Sequence, residues 1–123
     1  RVLVITGDGE MLMGLGSLST VGLQQPKNLA VVVLDNEHFG ETGMQTTHTA
    51  ASVNLAEIAK ASGIPSSWTV RESSEISTTR EKLLHAEGPL FLRDQDEGRD
   101  FNVGTPSQKR KNPSKAIPKC PDE

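Results

Sequence analysis

Two runs of consecutive apolar residues dominate the hydrophobic pattern of this chain. They cover residues 2–5 and 29–34, and the segment between them has mainly helical spacing of its apolar residues. Apolar runs without alternation are typical of parallel strands that are buried on both faces. The pattern therefore predicts a βαβ unit whose two strands are neighbours in one parallel sheet.

The rest of the pattern continues the alternation of helix and strand. Helices are predicted at residues 10–24, 54–63 and 73–88, and further short strands at residues 67–70 and 89–92. Asn54 is a favourable N-cap for the second of these helices. Residues 36–54 follow neither period and are predicted to form a long ordered loop. Together these elements predict an open parallel α/β sheet with helices on both faces.

The composition changes after residue 93. Residues 94–123 hold four of the seven prolines and few apolar side chains. The charged segment Arg93-Asp94-Gln95-Asp96-Glu97 is predicted to end the last strand. Because such a stretch cannot build a core, the sequence predicts one domain over residues 1–93 and a disordered tail over residues 94–123.

Charge and cysteine content narrow the possible functions. The 123 residues carry a net charge of −3, which gives no general attraction to nucleic acid or to an anionic membrane. The single cysteine, Cys120, leaves no intrachain disulfide and no cysteine metal cluster, so a cytoplasmic location is expected. No apolar run approaches the roughly 18 residues of a membrane span. The chain opens directly on a strand at Arg1, which suggests that a preceding segment of the domain is missing.

Polar residues follow both predicted strands at the point where each strand ends. Gly7-Asp8-Gly9-Glu10 follows the first strand, and Asp35-Asn36 closes the second. The carboxyl ends of parallel strands meet at one edge of the sheet, where open α/β sheets bind ligands. We therefore expect Asp8 and Asn36 to face the same crevice.

The residue types at this edge favour a phosphate group and a cation. Gly7 and Gly9 allow a tight turn, and the first N–H groups of the following helix are unpaired donors. A lone Asp8 carboxylate would repel phosphate, so a divalent cation is expected between them. Magnesium prefers such oxygen ligands, and the side-chain oxygen of Asn36 is a second candidate ligand.

This arrangement resembles the diphosphate-binding motif of thiamine diphosphate enzymes, in which a strand ending in Gly-Asp-Gly precedes a helix and a strand ending in Asp-Asn. The resemblance implies that the side chains of Asp8 and Asn36 bind magnesium and that His38 adds its backbone carbonyl. It also implies that Gly9 and Glu10 offer backbone N–H groups to the diphosphate. The expected cofactors are thiamine diphosphate and Mg²⁺.

Phe39-Gly40 fills a position where this family often has an aromatic residue followed by glycine, next to the expected cofactor. The longer string over residues 36–45 is most similar to the sulfopyruvate and phosphonopyruvate decarboxylase branch. The resemblance implies decarboxylation of a 2-oxo acid. In this family a glutamate on a pyrimidine-binding domain of another subunit activates the cofactor, and no residue here can be assigned that role. We therefore expect an oligomer with such a partner and no activity of the chain alone.

Two other functions remain open from the sequence. A dinucleotide such as NAD would use a Gly7-x-Gly9 turn, with Asp35 placed to bind a ribose. That fingerprint requires a third glycine where Leu12 stands. Alternatively, the chain could be a non-catalytic remnant that only associates with other subunits. His48 lies in a polar loop and is expected to face solvent.

Overall fold

A four-stranded parallel sheet forms the centre of the computed structural model, which describes residues 1–95. In chain order the elements are β1 (Val2–Gly7), α1 (Asp8–Met13), α2 (Ser17–Gln24), β2 (Leu29–Asp35), β3 (His38–Phe39), β4 (Gln45–Thr46), α3 (Leu55–Ala61), β5 (Ser66–Val70), α4 (Ile76–His85) and β6 (Leu90–Gln95). The strand order of the sheet is β1-β2-β6-β5. β1 and β2 pair in parallel, with Val2 opposite Leu29 and Gly7 opposite Leu34. This pairing confirms the predicted βαβ unit.

Helices cover both faces of the sheet, as predicted. One face carries the larger core, in which Val33 and Phe91 of the sheet pack with Leu18 of α2 and Leu55 of α3. On the other face a smaller cluster joins Val32, Val70 and Leu92, with Trp68 and Leu83 packed against it. The apolar strand runs therefore supply side chains to two cores.

The helix predicted over residues 10–24 is two helices. α1 ends at Met13 and α2 begins at Ser17, with Gly14 as the C-cap of α1 and Gly16 as the N-cap of α2. Two glycines so close together weaken a continuous helix, because glycine loses more backbone freedom there than alanine does. The single-helix prediction is wrong for this reason.

Strand β1 is not buried on both faces, and that prediction is wrong. The exposed fractions of Val2, Leu3, Val4 and Ile5 are 50%, 51%, 40% and 61%. β1 is an edge strand of the sheet, so its outer side has no strand partner among residues 1–95. No side chain of residues 2–5 belongs to either core cluster, so these apolar side chains stay exposed on the faces of the sheet.

Strand β6 continues beyond the end that the sequence predicted. Arg93 and Gln95 lie in β6 and are buried, with exposed fractions of 3% and 9%. Arg93 pairs with Asp35 of the neighbouring strand, and the side-chain nitrogen of Gln95 donates to Glu37 in the loop after it, so charge does not end the strand here. Apart from Asp94 and Gln95, the predicted disordered tail lies outside the described residues. None of the helices in residues 1–95 has both the length and the apolar content of a membrane span.

The loop over residues 36–54 is ordered by short elements. β3 and β4 pair antiparallel, with His38 opposite Thr46. Single turns of 3-10 helix occupy Gly40–Thr42 and His48–Ala50. Asn54 then caps α3 as predicted, because its side-chain oxygen accepts hydrogen bonds from the backbone N–H groups of Ala56 and Glu57.

Candidate functional site

The ends of β1 and β2 bring the predicted site residues to one edge of the sheet. Gly7 is the last residue of β1 and lies opposite Leu34 of β2. Asp8 is the first residue of α1, and Asn36 follows the end of β2. The parallel pairing of β1 and β2 therefore accounts for the shared edge.

The Asp8 carboxylate is buried beneath the loop that follows β2. Its exposed fraction is 2%. The hydroxyl of Thr47 donates to Asp8 Oδ2 at 2.5 Å, and the hydroxyl oxygen of Thr49 lies 3.2 Å from the same atom. Asp8 is thus held by residues that lie about 40 positions later in the chain.

A second buried carboxylate, Asp35, lies beside this cluster and has a cationic partner. Arg93 Nε donates to Asp35 Oδ2 at 2.5 Å, and both side chains are almost fully buried. Asp35 Oδ1 accepts from the Thr49 hydroxyl at 2.8 Å and from the backbone N–H of Glu37 at 3.0 Å. Both oxygens of Asp35 are therefore engaged within the chain.

The two carboxylates differ in how their charge is balanced. Within residues 1–95 the structure shows an ion pair for Asp35 and none for Asp8. Burial raises the pKa of the Asp8 carboxyl above its ordinary value, and the nearby Asp35 carboxylate raises it further, against the hydrogen bonds from Thr47 and Thr49. A buried carboxylate without a basic partner is where a cation would be stabilised most.

Gly9 lets the aromatic ring of Phe39 approach the first turn of α1. A Cβ atom at position 9 would lie 2.6 Å from Phe39 Cδ1, closer than two carbon atoms can pack. At Gly7 no atom of the described residues 1–95 lies within 4 Å of the corresponding position. A side chain at position 9 would therefore push the Phe39 ring away from the turn.

The Glu10 carboxylate folds back over the same turn and is exposed. Its Oε2 accepts from the Thr6 hydroxyl at 2.7 Å and from the backbone N–H of Gly7 at 3.1 Å. The Thr6 hydroxyl, and then the Gly7 N–H, lower the pKa of the Glu10 carboxyl. The backbone N–H groups of Gly9 and Glu10 lie in the first turn of α1, where a helix leaves its donors without carbonyl partners.

Asn36 and His38 form a tight turn at the end of β2. Asn36 Oδ1 accepts from the backbone N–H of His38 at 3.0 Å, and His38 Nδ1 donates to the Asn36 carbonyl at 2.8 Å. Glu37 between them has a φ of 62°. An amide oxygen has two lone pairs, so Asn36 Oδ1 can accept this bond and still coordinate a cation. Phe39 and Gly40 follow in β3 and the next turn.

Sequence reasoning assigned no role to Thr47, Thr49 or Arg93. The threonines alternate with the exposed His48, whose solvent-facing position was predicted, and such alternation is a weak sign that their side chains share a direction. Arg93 directly follows Leu90-Phe91-Leu92, so it continues a buried strand, where a charge requires a partner. Asp35, which ends the neighbouring apolar run, was the signal in the sequence that could have indicated a partner for Arg93.

A family model described as "Thiamine pyrophosphate enzyme, C-terminal TPP binding domain" matches residues 1–93. The chain belongs to this family. A solved structure of a thiamin diphosphate-dependent enzyme from Mycobacterium smegmatis shares the fold, with a TM-score of 0.59 and 20% identity over 77% of this chain and 17% of that one.

Curated relatives place the chain among decarboxylase sequences. It is 55% identical over 64 residues to the sulfopyruvate decarboxylase subunit beta of Methanocaldococcus jannaschii, covering 52% of this chain and 34% of the relative. It is 37% identical to the same subunit of Methanothermobacter thermautotrophicus, over 74% of this chain and 46% of that relative. It is 40% identical to the phosphonopyruvate decarboxylase of Streptomyces viridochromogenes, over 74% of this chain and 23% of that relative. The chain thus spans less than half the length of each of these relatives.

The residues present fit a magnesium–diphosphate group. The unbalanced Asp8 carboxylate, the Asn36 amide oxygen and backbone carbonyls are hard oxygen donors of the kind that magnesium binds together with phosphate and water. Residues 1–95 contain no group of three or more His, Cys, Asp or Glu that could hold a metal, so phosphate and water ligands would complete the set. The NAD alternative fits less well, because both oxygens of Asp35 are already bound by Arg93, Thr49 and the backbone N–H of Glu37 and are not available to a ribose.

Proposed function

We propose that this TPP-binding domain is the magnesium- and diphosphate-binding half of a 2-oxo acid decarboxylase. The observation that carries the proposal is the Asp8 carboxylate, buried at the carboxyl edge of the sheet without a basic partner among residues 1–95. The relatives named sulfopyruvate and phosphonopyruvate decarboxylase support a pyruvate substituted with a sulfo or phosphono group as the substrate.

In this proposal Asp8 and Asn36 bind Mg²⁺ through side-chain oxygens and His38 through its backbone carbonyl. The backbone N–H groups of Gly9 and Glu10 bind the diphosphate, and Gly7 keeps the turn open. Phe39 and Gly40 border the cofactor. These roles follow from the family motif, and the exposed Glu10 carboxylate, which is turned onto Thr6 and Gly7, is compatible with them.

The cofactor, when bound, supplies the electron sink for decarboxylation. The chain's own residues bind and orient its diphosphate end, and none of them is assigned a proton-transfer role. A partner with a pyrimidine-binding domain would complete the site in an oligomer. Two observations support such a partner: relatives are named as a beta subunit, and β1 exposes apolar side chains that further polypeptide could cover. The proposal includes a cytoplasmic location.

Calorimetric titration tests the binding function directly. Thiamine diphosphate and NAD are each titrated into the chain with and without magnesium. We expect heat only from thiamine diphosphate with magnesium, and we expect Asp8→Ala to abolish it by removing the anionic ligand. Glu57→Gln, which removes an exposed carboxylate of α3, is the matched control and should bind like the wild type. Binding of NAD without metal would overturn the proposal.

The catalytic part is tested by carbon dioxide release from 2-oxo acids in the presence of cofactor and magnesium. We expect no turnover by the chain alone and turnover when a subunit with a pyrimidine-binding domain is added. Turnover by the chain alone, abolished by a point mutation within it, would show that the catalytic groups are misassigned. No cofactor binding even with the added subunit would favour a non-catalytic remnant.

A further inference from the structure

Two buried threonine hydroxyls connect the two carboxylates of the site. Thr47 and Thr49 have exposed fractions of 4% and 5%, and their hydroxyl oxygens lie 2.8 Å apart. Among the carboxylates of residues 1–95, Thr47 contacts Asp8 alone, whereas Thr49 lies within hydrogen-bond distance of both Asp8 and Asp35. Both threonines meet Asp8 at the same oxygen, Oδ2.

The number of protons limits how these four groups can pair. Each hydroxyl has one proton to donate. The shortest carboxylate contacts give the Thr47 proton to Asp8 at 2.5 Å and the Thr49 proton to Asp35 at 2.8 Å. Thr47 is then the hydroxyl donor to Asp8, and Thr49 donates to Asp35 while its oxygen lies 3.2 Å from Asp8 Oδ2.

Two anchors fix this cluster in place. Arg93 holds Asp35 from the neighbouring strand β6, so the partner of Thr49 cannot rotate freely. The backbone N–H of Thr47 donates to the carbonyl of Glu37 at 2.8 Å. Thr47 therefore joins the end of β1, through Asp8, to the turn that carries Asn36 and His38.

We propose that Thr47 and Thr49 are positioning residues of the metal site: the Thr47 hydroxyl donates to Oδ2 of Asp8 and thereby fixes the orientation in which the carboxylate meets the cation, and Thr49, which donates to Asp35, holds its place beside Thr47. The proposal rests on the proposed function. It assigns the larger role to Thr47, because its hydroxyl contact to Asp8 is the shorter one and because its backbone also binds the segment with the other expected ligands.

Three variants of the full chain separate positioning from packing. Thr47→Val keeps the side-chain shape and removes the hydroxyl, Thr47→Ser keeps the hydroxyl, and Thr46→Val alters the exposed neighbour in β4. The measurement is the Mg²⁺ concentration that half-saturates thiamine diphosphate binding, together with the thermal unfolding midpoint without ligands. Thr49→Val serves as a fourth variant.

We expect Thr47→Val to raise the half-saturating Mg²⁺ concentration by roughly 10-fold or more, the loss typical of removing a partner of a metal ligand. Thr47→Ser should restore most of the affinity, Thr49→Val should have a smaller effect than Thr47→Val, and Thr46→Val should have none. An unchanged Mg²⁺ requirement in Thr47→Val would overturn the positioning role alone. Equal losses in Thr47→Val and Thr47→Ser would assign the effect to packing and also overturn it. A wild-type chain without magnesium-dependent binding would instead overturn the proposed function, and this inference with it.

Discussion

Strands β1 and β6 both begin with apolar residues, but only those of β6 are buried. Leu90, Phe91 and Leu92 have exposed fractions of 1%, 0% and 4%, whereas Ile5 of β1 is 61% exposed. β6 lies between β2 and β5, and β1 lies at the edge. Even Arg93 of β6 is more buried than any apolar residue at positions 2–5. Side-chain polarity alone therefore does not decide burial in this sheet, since the arginine of β6 is covered and the apolar residues of β1 are not.

The polar cluster of the site and the apolar strand β1 differ in where their contacts come from. The polar cluster around Asp8 and Asp35 is built from contacts within residues 1–95, so its geometry comes from the described chain itself. The apolar surface of β1 has no such partners there. Covering it would require polypeptide that residues 1–95 do not supply.

The largest expected effect is at the buried ion pair. Arg93→Met should destabilise the chain by about 3–5 kcal/mol, because it leaves the Asp35 carboxylate buried without its cation. Arg80→Met is the control, since the pair of Arg80 with Glu81 is exposed and should be worth less than about 1 kcal/mol. Urea unfolding measures both. Similar stabilities of the two variants would mean that losing the buried ion pair costs no more than losing the exposed one, which would contradict this prediction.

A smaller effect distinguishes the two strands by a matched pair of valines. Val33→Ala in β2 should cost about 2 kcal/mol, because the removed methyl groups are fully buried. Val4→Ala in β1 should cost less than about 1 kcal/mol, because its side chain is 40% exposed. Urea unfolding of both variants checks the contrast. Equal costs would show that β1 is buried in solution, for example by self-association.

The smallest effect concerns the pH dependence that Asp8 contributes without metal. Its folded-state pKa is raised above the ordinary value of 3.8, so the folded chain binds this proton more tightly than the unfolded chain. Stability therefore falls as the pH rises from about 4 through the raised pKa, and stays lower above it. Asp8→Asn should remove this loss, so its stability relative to the wild type should be higher at neutral pH than at pH 4. Unfolding curves of both proteins across this range give the difference, and an unchanged difference would contradict the pKa shift.

Much of the fold, and the shared sheet edge on which Asp8 and Asn36 lie, could be predicted from the sequence. The apolar runs at residues 2–5 and 29–34 predicted the parallel pairing of β1 and β2. That pairing brings Asp8 and Asn36 to one edge of the sheet. Asn54 marked the start of α3 because capping chemistry is local. These features depend on short stretches of chain or on general rules of parallel sheets.

The remaining features depend on contacts between distant residues. Arg93 looked like the end of a strand because its partner, Asp35, is 58 positions away. Thr47 and Thr49 lie in a loop without a period, so nothing local indicates that they meet Asp8. The exposure of β1 could not be predicted either, since an apolar run does not say whether its strand lies at the centre or at the edge of the sheet.

Diffraction from crystals grown with thiamine diphosphate and Mn²⁺ in place of Mg²⁺ tests the site most directly. Anomalous scattering locates the metal without reference to the protein model. We predict one metal about 2.1 Å from an oxygen of Asp8 and from Asn36 Oδ1, with the diphosphate bound to it beside Gly9. A metal bound away from Asp8, or a diphosphate bound elsewhere on the chain, would contradict the proposed site.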